Sequence, residues 1–383
     1  MTRSAPRTSV KRVAVVGHNA QSLLRFRGPL IAAMTAARHR VLALAPDIDA
    51  TTGAALEGIG ARVGTFPLAP PGASPFANRR TATGLTESLA AFEPHVVLAS
   101  GPKAAAMGTL AGRAAGAGHV VLVVNGLAAL QMVDGGDTGG WLQARTVRRR
   151  NRKAIAAADT VVFHNPGDAS ALVAQGLLPA NKPILVLPGS GIDLARYASA
   201  PLPSAADGLV FMMAARLVKA TGVETYCEAA RLVKARSPSA RFVLAGPPGM
   251  GPDGLSPQAL ARFREVVEYA GPVADIRPLL AAAHVVVYPA RGEGCPGVLL
   301  EAMSIGRPVI TSTDPGCRQT VDERVNGCLV SPGSPQELAE AMQFFLRRPD
   351  LLPAMARASR LKAERRFDQR PVVTALLDAC GLG

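Results

Sequence analysis

The chain alternates short apolar runs with longer helical patterns, and the alternation starts afresh midway along the sequence. In the first half the predicted strands are Val13–Gly17, Val41–Ala45, Val63–Pro67, Val96–Ala99, Val120–Val124 and Thr160–Phe163. Helical patterns fall between them, at Pro29–Arg38, Thr83–Phe92, Lys103–Ala115 and Trp141–Ala158. This alternation predicts a doubly wound parallel sheet with helices on both faces.

The second series follows the proline-rich stretch 201–208, the best linker candidate. Its predicted strands are Leu209–Ala214, Phe242–Ala245, Val267–Tyr269, Val285–Tyr288, Val309–Thr311 and Cys328–Val330, and its helices are Val223–Lys234, Pro257–Glu265, Ile276–Ala283, Val298–Ile305 and Pro335–Leu346. We expect an α/β chain of two Rossmann-like lobes facing a cleft, with sites at the strands' carboxyl ends. The expected parts are a flexible basic tail (1–12), an N-terminal domain (13–200), a C-terminal domain (201–365) and a last helix (366–383).

Composition narrows the class of protein. A chain of 383 residues with 48% hydrophobic and 18% charged residues is typical of a folded two-domain α/β enzyme. The formal charge of +14 favours anionic partners such as a nucleotide, a nucleic acid or an acidic membrane surface. Aromatic residues make up only 4% and no recognition motif occurs, which argues against nucleic acid. Neither half contains a G-x-G-x-x-G fingerprint, which argues against an NAD or FAD enzyme.

The cysteines and the N-terminal stretch indicate where in the cell the protein is located. The five cysteines show no close pairing and no metal-ligand spacing, so free thiols in a reducing compartment are expected. The N-terminal stretch is polar and basic, without the apolar core of a signal peptide. No apolar run approaches the roughly 20 residues that span a bilayer. We expect a cytoplasmic protein, with attachment to a membrane surface as an open possibility.

The most informative segment for function is 293–303. Glu293 lies in the loop after a predicted buried strand, and Glu301 lies one turn inside the next predicted helix. Three residues between them keep side chains away from the backbone N–H groups that open this helix: Gly294, Pro296 and Gly297. A helix start with free N–H groups favours a phosphate or a polyhydroxylated ligand, and two nearby acids suit hydroxyl groups. The combination indicates a nucleotide-sugar site.

The motifs that follow extend this segment to a known family. They are Gly306–Thr311, Gly316-Cys317 and Val325–Val330. Together they resemble the donor half of the family 4 glycosyltransferases, whose mark is a glutamate, seven residues and a second glutamate. Four N-terminal motifs resemble the branch that builds capsule, exopolysaccharide and O-antigen repeat units: Phe26–Leu30, Gly101–Lys103, His164–Asp168 and Pro188–Asp193. The resemblance implies the GT-B fold, sugar transfer with retention of the anomeric configuration, and a last helix that packs back on the first lobe.

The resemblance implies roles for a donor site. Glu293 would contact the transferred sugar, and Glu301 would accept hydrogen bonds from the ribose. Arg216 would meet the diphosphate, because a guanidinium forms bidentate bonds to phosphate oxygens. Thr221 stands where the family usually has a lysine, so Lys219 is the candidate second cation. The other expected donor contacts are Gly17, Gly294, Cys295, Pro296, Gly297 and Val298.

Acceptor-side candidates follow the predicted strands of the first lobe: His18, Asn19, Lys103, Asn125 and His164. A lysine at a helix start opposes the helix dipole, which favours binding of an anionic acceptor by Lys103. Asp47 and Asp49 have a D-x-D spacing that holds a metal in other glycosyltransferase folds, but they lie outside the expected diphosphate site. We expect them to be loop carboxylates, with no metal and no cofactor.

The strongest charge feature is a cationic run in one predicted helix. A basic helix with an apolar leading edge can rest on anionic lipid, at about 1 kcal/mol per cation near the surface. The alternative is an ordinary solvated helix face. The membrane-surface candidates are Trp141, Arg145, Arg148, Arg149, Arg150, Arg152 and Lys153.

We therefore expect a metal-independent, retaining glycosyltransferase that moves a hexose or N-acetylhexosamine from a UDP-linked donor to a lipid-linked saccharide in bacterial surface polysaccharide synthesis. A GT-B sugar-nucleotide epimerase is one alternative, although the chain offers few histidines at strand ends for acid–base chemistry. A non-catalytic nucleotide-sugar or membrane-binding subunit is another. Its only support is Thr221 and Gly292, where relatives often carry cationic side chains.

Overall fold

The computed structural model describes residues 9–70, 73–126, 141–249 and 253–383, apart from the side chains of 141–143 and 257. The chain divides into two compact units. The N-terminal unit ends at Leu187 and takes up Arg370–Gly383, and the C-terminal unit is Pro188–Gln369. Each unit is built on one parallel sheet, which confirms the predicted fold class.

The N-terminal unit contains a seven-stranded sheet in the order β3-β2-β1-β4-β5-β6-β7. Its strands are β1 Arg12–Val16, β2 Arg40–Leu44, β3 Arg62–Gly64, β4 Val96–Ser100, β5 His119–Val124, β6 Thr160–Phe163 and β7 Ile184–Val186. The described helices before Leu187 are α1 Ala20–Ala36, α2 Ala50–Gly58, α3 Pro75–Phe92, α4 Pro102–Ala114, α5 Trp141–Ala157 and α6 Pro166–Ala174. All neighbouring strands pair in parallel.

The C-terminal unit contains a six-stranded sheet in the order β10-β9-β8-β11-β12-β13. Its strands are β8 Val210–Ala214, β9 Arg241–Ala245, β10 Val267–Gly271, β11 Val285–Tyr288, β12 Val309–Ser312 and β13 Gly327–Val330. Its described helices are α7 Val223–Lys234, α8 Pro257–Ala261, α9 Arg277–Ala282, α10 Gly297–Ile305, α11 Pro315–Arg318, α12 Pro335–Arg347 and α13 Leu352–Arg366. The last helix, α14 Gln369–Ala379, lies almost wholly in the N-terminal unit.

Both faces of the N-terminal sheet are covered, which is why its strands are continuously apolar. Along β1, Val13 and Val15 enter one apolar layer, whereas Ala14 and Val16 enter the layer on the opposite face. The first layer includes Val372 and Leu376 of α14, so the end of the chain completes the core around its beginning.

The first helix differs from the sequence prediction. It begins at Ala20, not at Pro29, and Pro29 lies inside it. The side chain of Asn19 caps the helix by accepting a 2.7 Å hydrogen bond from the Ser22 N–H. Burial of a stripe that includes Ala20 and Leu23 outweighs the single hydrogen bond lost at the proline. Five shorter or more polar elements were also not predicted: α2, α6, α11, α13 and β7.

Candidate functional site

Each sheet has a point at which the order of connection reverses, between β1 and β4 in one unit and between β8 and β11 in the other. At such a point the loops at the carboxyl ends of neighbouring strands run in opposite directions, and the crevice between them is where open α/β sheets bind ligands. In the C-terminal unit these are the residues after β8, up to Thr221, and the segment 289–296, which we call the β11 loop.

Main-chain hydrogen bonds hold the β11 loop on two sides. The Arg291 N–H donates to the carbonyl of Ala220, at 2.9 Å, in the loop that follows β8. The Gly292 N–H donates to the carboxylate of Asp314, at 2.7 Å, just after β12. The loop therefore spans the ends of three adjacent strands.

Two glycines allow the backbones in this region to approach closely. A Cβ on Gly316 would lie 2.0 Å from the carbonyl oxygen of Glu293 and 2.2 Å from that of Gly294. A Cβ on Gly222 would lie 2.5 Å from the Pro289 carbonyl oxygen, and Gly222 has a φ of 80°. No larger side chain fits at either position without a shift of the backbone.

Glu293, half-buried in the β11 loop, occupies a mixed electrostatic environment. Burial raises the pKa of its carboxyl group, the charge of Arg216 opposes this rise, and the Asp314 carboxylate adds to it. Arg216 is exposed just after β8. The structure therefore brings the acid Glu293 within electrostatic reach of the cation Arg216, which is 77 residues earlier in the chain.

The helix α10 begins directly after the loop. Pro296 precedes its first residue and supplies no side-chain cap, so the first turn keeps backbone N–H groups for other partners. Glu301 lies five residues into the helix and is only 2% exposed. Its neighbours along α10 are apolar and buried, including Leu299, Leu300 and Ala302.

Thr221, which departs from the family pattern, has a structural function. Its side chain is 2% exposed, and its hydroxyl lies 2.9 Å from the carbonyl of Arg216 and 2.7 Å from that of Val218. The hydroxyl thus closes the turn that carries Arg216. Lys219 is exposed on the same turn.

The cysteines of this region are packing residues. A Cβ on Gly189 would lie 2.9 Å from the Sγ of Cys295, so this thiol fits against a glycine. Burial raises the pKa of Cys317 to about 12 and raises that of Cys295 further. Both thiols are neutral at physiological pH, so neither is an activated nucleophile.

The loop that follows β1 in the N-terminal unit, residues 17–19, is also closely packed. A Cβ on Gly17 would lie 3.1 Å from Leu23, and a Cβ on Gly101 would lie 2.4 Å from the Nδ1 of His18. The structure therefore brings Gly17 and His18 to the carboxyl ends of β1 and β4, beside the start of α4. Asn19 is the side-chain cap of α1.

The two aspartates of the D-x-D spacing serve two different helices. Asp47 accepts a 2.7 Å hydrogen bond from the Ala20 N–H at the start of α1. Asp49 caps α2 in a capping box with Thr52, which lowers the pKa of its carboxyl group. Within the described ranges, no group of three or more His, Cys, Asp or Glu side chains is arranged to hold a metal ion.

The remaining acceptor-side candidates lie apart from one another along the sheet. Lys103 donates to the carbonyls of Ala69, at 3.0 Å, and Pro70, at 3.3 Å, and so ties down the segment after β3. Asn125 is half-buried after β5. His164 follows β6 and is 4% exposed, and burial together with the charge of Arg27 lowers its pKa to about 3.

The basic helix α5 is amphipathic. Val147, Ala154 and Ile155 are buried against the unit. The exposed cations lie on the other side of the helix: Arg145, Arg148, Arg149, Arg152 and Lys153. Arg150 is half-buried, and the side chain of Trp141 lies outside the described residues. Arg148 donates a 2.9 Å hydrogen bond to the Gln175 carbonyl.

None of the described helices is both long and apolar enough to cross a bilayer.

Two residues that organise the β11 loop were given no role from the sequence, although Gly316 lies in one of the quoted family motifs. Asp314 and Gly316 act on the β11 loop from the end of the neighbouring strand. The available signal in the sequence was the position of Asp314, shortly after a predicted strand. Parallel strands bring their carboxyl ends to one edge of the sheet, where such residues meet.

Comparison with known proteins gives two family matches. The description "Glycosyl transferase 4-like domain" matches residues 25–189, and "Glycosyl transferases group 1" matches residues 208–348. The two matches together take in most of both units.

The chain is similar to several curated proteins. Over 195 residues it is 30% identical to WcaL of Escherichia coli (strain K12), a glycosyltransferase named for colanic acid biosynthesis, covering 48% of this chain and 47% of WcaL. Over 346 residues it is 24% identical to N,N'-diacetylbacillosaminyl-diphospho-undecaprenol alpha-1,3-N-acetylgalactosaminyltransferase of Campylobacter jejuni, covering 88% and 89%. The match thus spans about half the length of WcaL, and 59% of the D-inositol 3-phosphate glycosyltransferase of Saccharomonospora viridis.

Solved structures share the fold. Anabaena Alr3699/HepE in complex with UDP and glucose gives a TM-score of 0.74 at 20% identity, covering 97% of this chain and 99% of that one. Sucrose-phosphate synthase from Thermosynechococcus elongatus gives 0.75 at 18% identity, covering 96% and 98%. At these identities the likeness establishes the architecture alone.

Proposed function

Because the chain belongs to the family 4 glycosyltransferases of the GT-B fold, we propose that it transfers a sugar from a nucleotide-diphosphate donor to a lipid-linked saccharide. The donor is UDP-linked and carries a hexose or N-acetylhexosamine, and the anomeric configuration is retained. The product is a repeat unit of a bacterial surface polysaccharide.

The observation that carries this proposal is the arrangement around the β11 loop. Arg216, the half-buried Glu293, the uncapped start of α10 and the buried Glu301 all belong to one compact unit. Phosphate oxygens suit Arg216 and the free N–H groups of α10, and sugar hydroxyls suit the two carboxylates. No single anion or sugar alone would use both kinds of group.

The chemistry of this site is positioning and electrostatic stabilisation. Arg216, with Lys219 beside it, stabilises the charge that develops on the departing diphosphate. Glu301 holds the ribose and Glu293 holds the transferred sugar. The attacking group is the acceptor hydroxyl, so no side chain is assigned as nucleophile, and no metal or cofactor is included in the proposal.

Support for a lipid-linked acceptor comes from the relatives and from α5. The Campylobacter relative is named for an undecaprenol-diphosphate-linked acceptor. The exposed cations of α5 provide a surface for anionic lipid, which would place the enzyme at the inner face of the plasma membrane, on its cytoplasmic side.

The proposal is tested by incubating purified protein with bacterial membranes and a panel of UDP- and GDP-sugars, and measuring release of the nucleoside diphosphate. Arg216→Ala and Glu301→Ala should each lower the release about tenfold or more. Arg236→Ala, an exposed arginine just beyond α7, is the matched control and should leave it unchanged.

Product analysis separates the rival activities. A labelled sugar in the lipid fraction supports transfer, whereas epimerised free nucleotide sugar would indicate an isomerase. Binding of nucleotide sugar without any turnover would indicate a non-catalytic subunit. Undiminished release in both site variants would refute the assignment of the donor site.

A further inference from the structure

Among the residues that the structure describes, two arginines are almost completely buried, and their surroundings differ sharply. Arg307, 0% exposed, donates to main-chain carbonyls on several sides, including those of Leu280, Ala200 and Pro201 at 3.1, 2.9 and 2.7 Å. Arg27, 2% exposed, makes one hydrogen bond within the described ranges, of 3.4 Å to the carbonyl of the adjacent Phe26. Its Nε has no partner among the residues that the structure describes.

Arg27 lies on the inward face of α1, in a buried stripe with Leu23 and Leu30. Among the described residues, Cys380 is the group whose negative charge would raise the Arg27 pKa. Burial raises the pKa of that thiol to about 12, so Cys380 is neutral at physiological pH. The Arg27 pKa falls from 12.5 to about 10 through burial, so the guanidinium keeps its charge, and no carboxylate of the described residues acts on it.

A buried charge without a partner is costly, because it has lost its hydration and gained nothing in exchange. Arg307 shows how this chain satisfies an arginine that is purely structural. Replacing Arg27 by an apolar residue would remove the cost, so its retention calls for a ligand that carries negative charge.

The position of Arg27 indicates where such a ligand would enter. Long side chains in a helix lean toward the helix N-terminus, and that end of α1 follows β1 at the carboxyl edge of the sheet. The charge of Arg27 also acts on His164, which follows β6 at the same edge. Ligands of open α/β sheets bind at this edge.

We propose that Arg27 is an anion-binding residue of the N-terminal unit that takes a phosphate group of a substrate diphosphate, beside His164. A guanidinium suits this ligand because its N–H groups form paired, charge-assisted bonds to phosphate oxygens. The identification of the anion rests on the proposed function, in which the sugar donor and the lipid-linked acceptor each carry a diphosphate. His164 stays neutral there and adds no competing charge.

The test compares Arg27→Met, Arg27→Lys and the control Arg307→Met. Affinities are measured for pyrophosphate, UDP and a short-chain prenyl diphosphate, and thermal unfolding is followed without ligand. Arg27→Met should unfold at a temperature equal to or above that of the wild type, because it removes an uncompensated charge. It should also lose about tenfold or more in affinity for at least one diphosphate, and Arg27→Lys should lose less. Arg307→Met should unfold at a lower temperature.

Comparison of the three ligands shows which substrate supplies the phosphate. A loss confined to UDP assigns Arg27 to the donor, and a loss confined to the prenyl diphosphate assigns it to the acceptor. Affinities that stay within about twofold of the wild type for all three ligands overturn the inference. If Arg27→Met does not fold, the same affinity criterion applied to Arg27→Lys decides.

The experiments distinguish a failure of the Arg27 anion site from a failure of the proposed function. Sugar transfer by the wild type, with unchanged diphosphate affinity in the Arg27 variants, refutes the anion site alone. Arg27-dependent diphosphate binding without any sugar transfer refutes the proposed function alone.

Discussion

The side-chain hydroxyl of Thr221 lies 2.9 Å from the main-chain carbonyl of Arg216 and closes the turn after β8. The sequence alone shows only that Thr221 replaces the lysine that is usual in the family. The structure shows that the residue faces inward and fixes the turn, while Lys219 of the same turn faces solvent.

Replacing Thr221 by valine tests this relationship. Loss of the two hydroxyl contacts should lower the free energy of unfolding by about 1 kcal/mol, and the looser Arg216 should reduce nucleotide-sugar turnover. Urea unfolding and a diphosphate-release assay measure the two effects. Thr83→Val, at an exposed position of α3, is the control and should change neither. Full turnover in Thr221→Val would show that the turn does not depend on the hydroxyl.

Gly316→Ala should disturb the β11 loop. The added Cβ would lie 2.0 Å from the Glu293 carbonyl oxygen, and backbone atoms cannot yield as a flexible side chain does. We expect a loss of about 1–3 kcal/mol in stability together with lower turnover. Gly58→Ala, at the end of α2 where a Cβ meets nothing within 4 Å, should leave turnover unchanged and should not lower stability. Equal behaviour of the two variants would contradict the tight packing of Gly316 on the loop.

The lipid-binding role that we propose for α5 is testable by flotation with vesicles that contain anionic lipid. Replacing Arg149, Arg152 and Lys153 by serine should weaken flotation at low salt by about 1 kcal/mol per cation, because these side chains point outward. Replacing three exposed arginines of the other unit removes the same charge and is the control: Arg236, Arg264 and Arg347. If both triple variants float as the wild type does, α5 is an ordinary solvated helix face.

Stability should fall as the solution becomes acidic, because three histidines are buried in the neutral form. Burial is the main cause that lowers the pKa of His39, His164 and His284 below 6.5, in the case of His164 to about 3. In the unfolded chain each takes up a proton near pH 6.5, while the folded chain takes it up only at lower pH. The unfolded state therefore binds more protons as the pH drops through this window, and the stability present above it is lost.

His284 provides the variant for this measurement. Its Nδ1 accepts a 3.0 Å hydrogen bond from the Val210 N–H, which requires an unprotonated nitrogen. An asparagine can accept the same bond and does not titrate. His284→Asn should thus show a shallower decline of the unfolding free energy between about pH 7 and pH 5.5. An unchanged slope would remove His284 from the acid-sensitive set.

Much of the fold follows from local pattern. The strand Val285–Tyr288 and the helix Val223–Lys234 have the bounds that periodicity predicts, because long apolar or amphipathic runs have one favourable way to bury their apolar side. Short or polar elements were missed for the same reason. β7, three residues long, carries too little apolar pattern to stand out, and Pro29 obscured the true start of α1.

Local apolar pattern determined the two parallel sheets and the order of most of their strands and helices, and it placed Glu293 in a loop and Glu301 in the helix that follows. Tertiary structure alone decided which groups meet. Asp314 reaches the Gly292 N–H across 22 residues, and Asp47 reaches the Ala20 N–H across 27. Leu23 and Leu30, which flank Arg27 on the buried face of α1, share one apolar layer with Val372 and Leu376 of α14. Such pairings depend on which strand ends lie side by side, a property of the assembled sheet that no local period encodes.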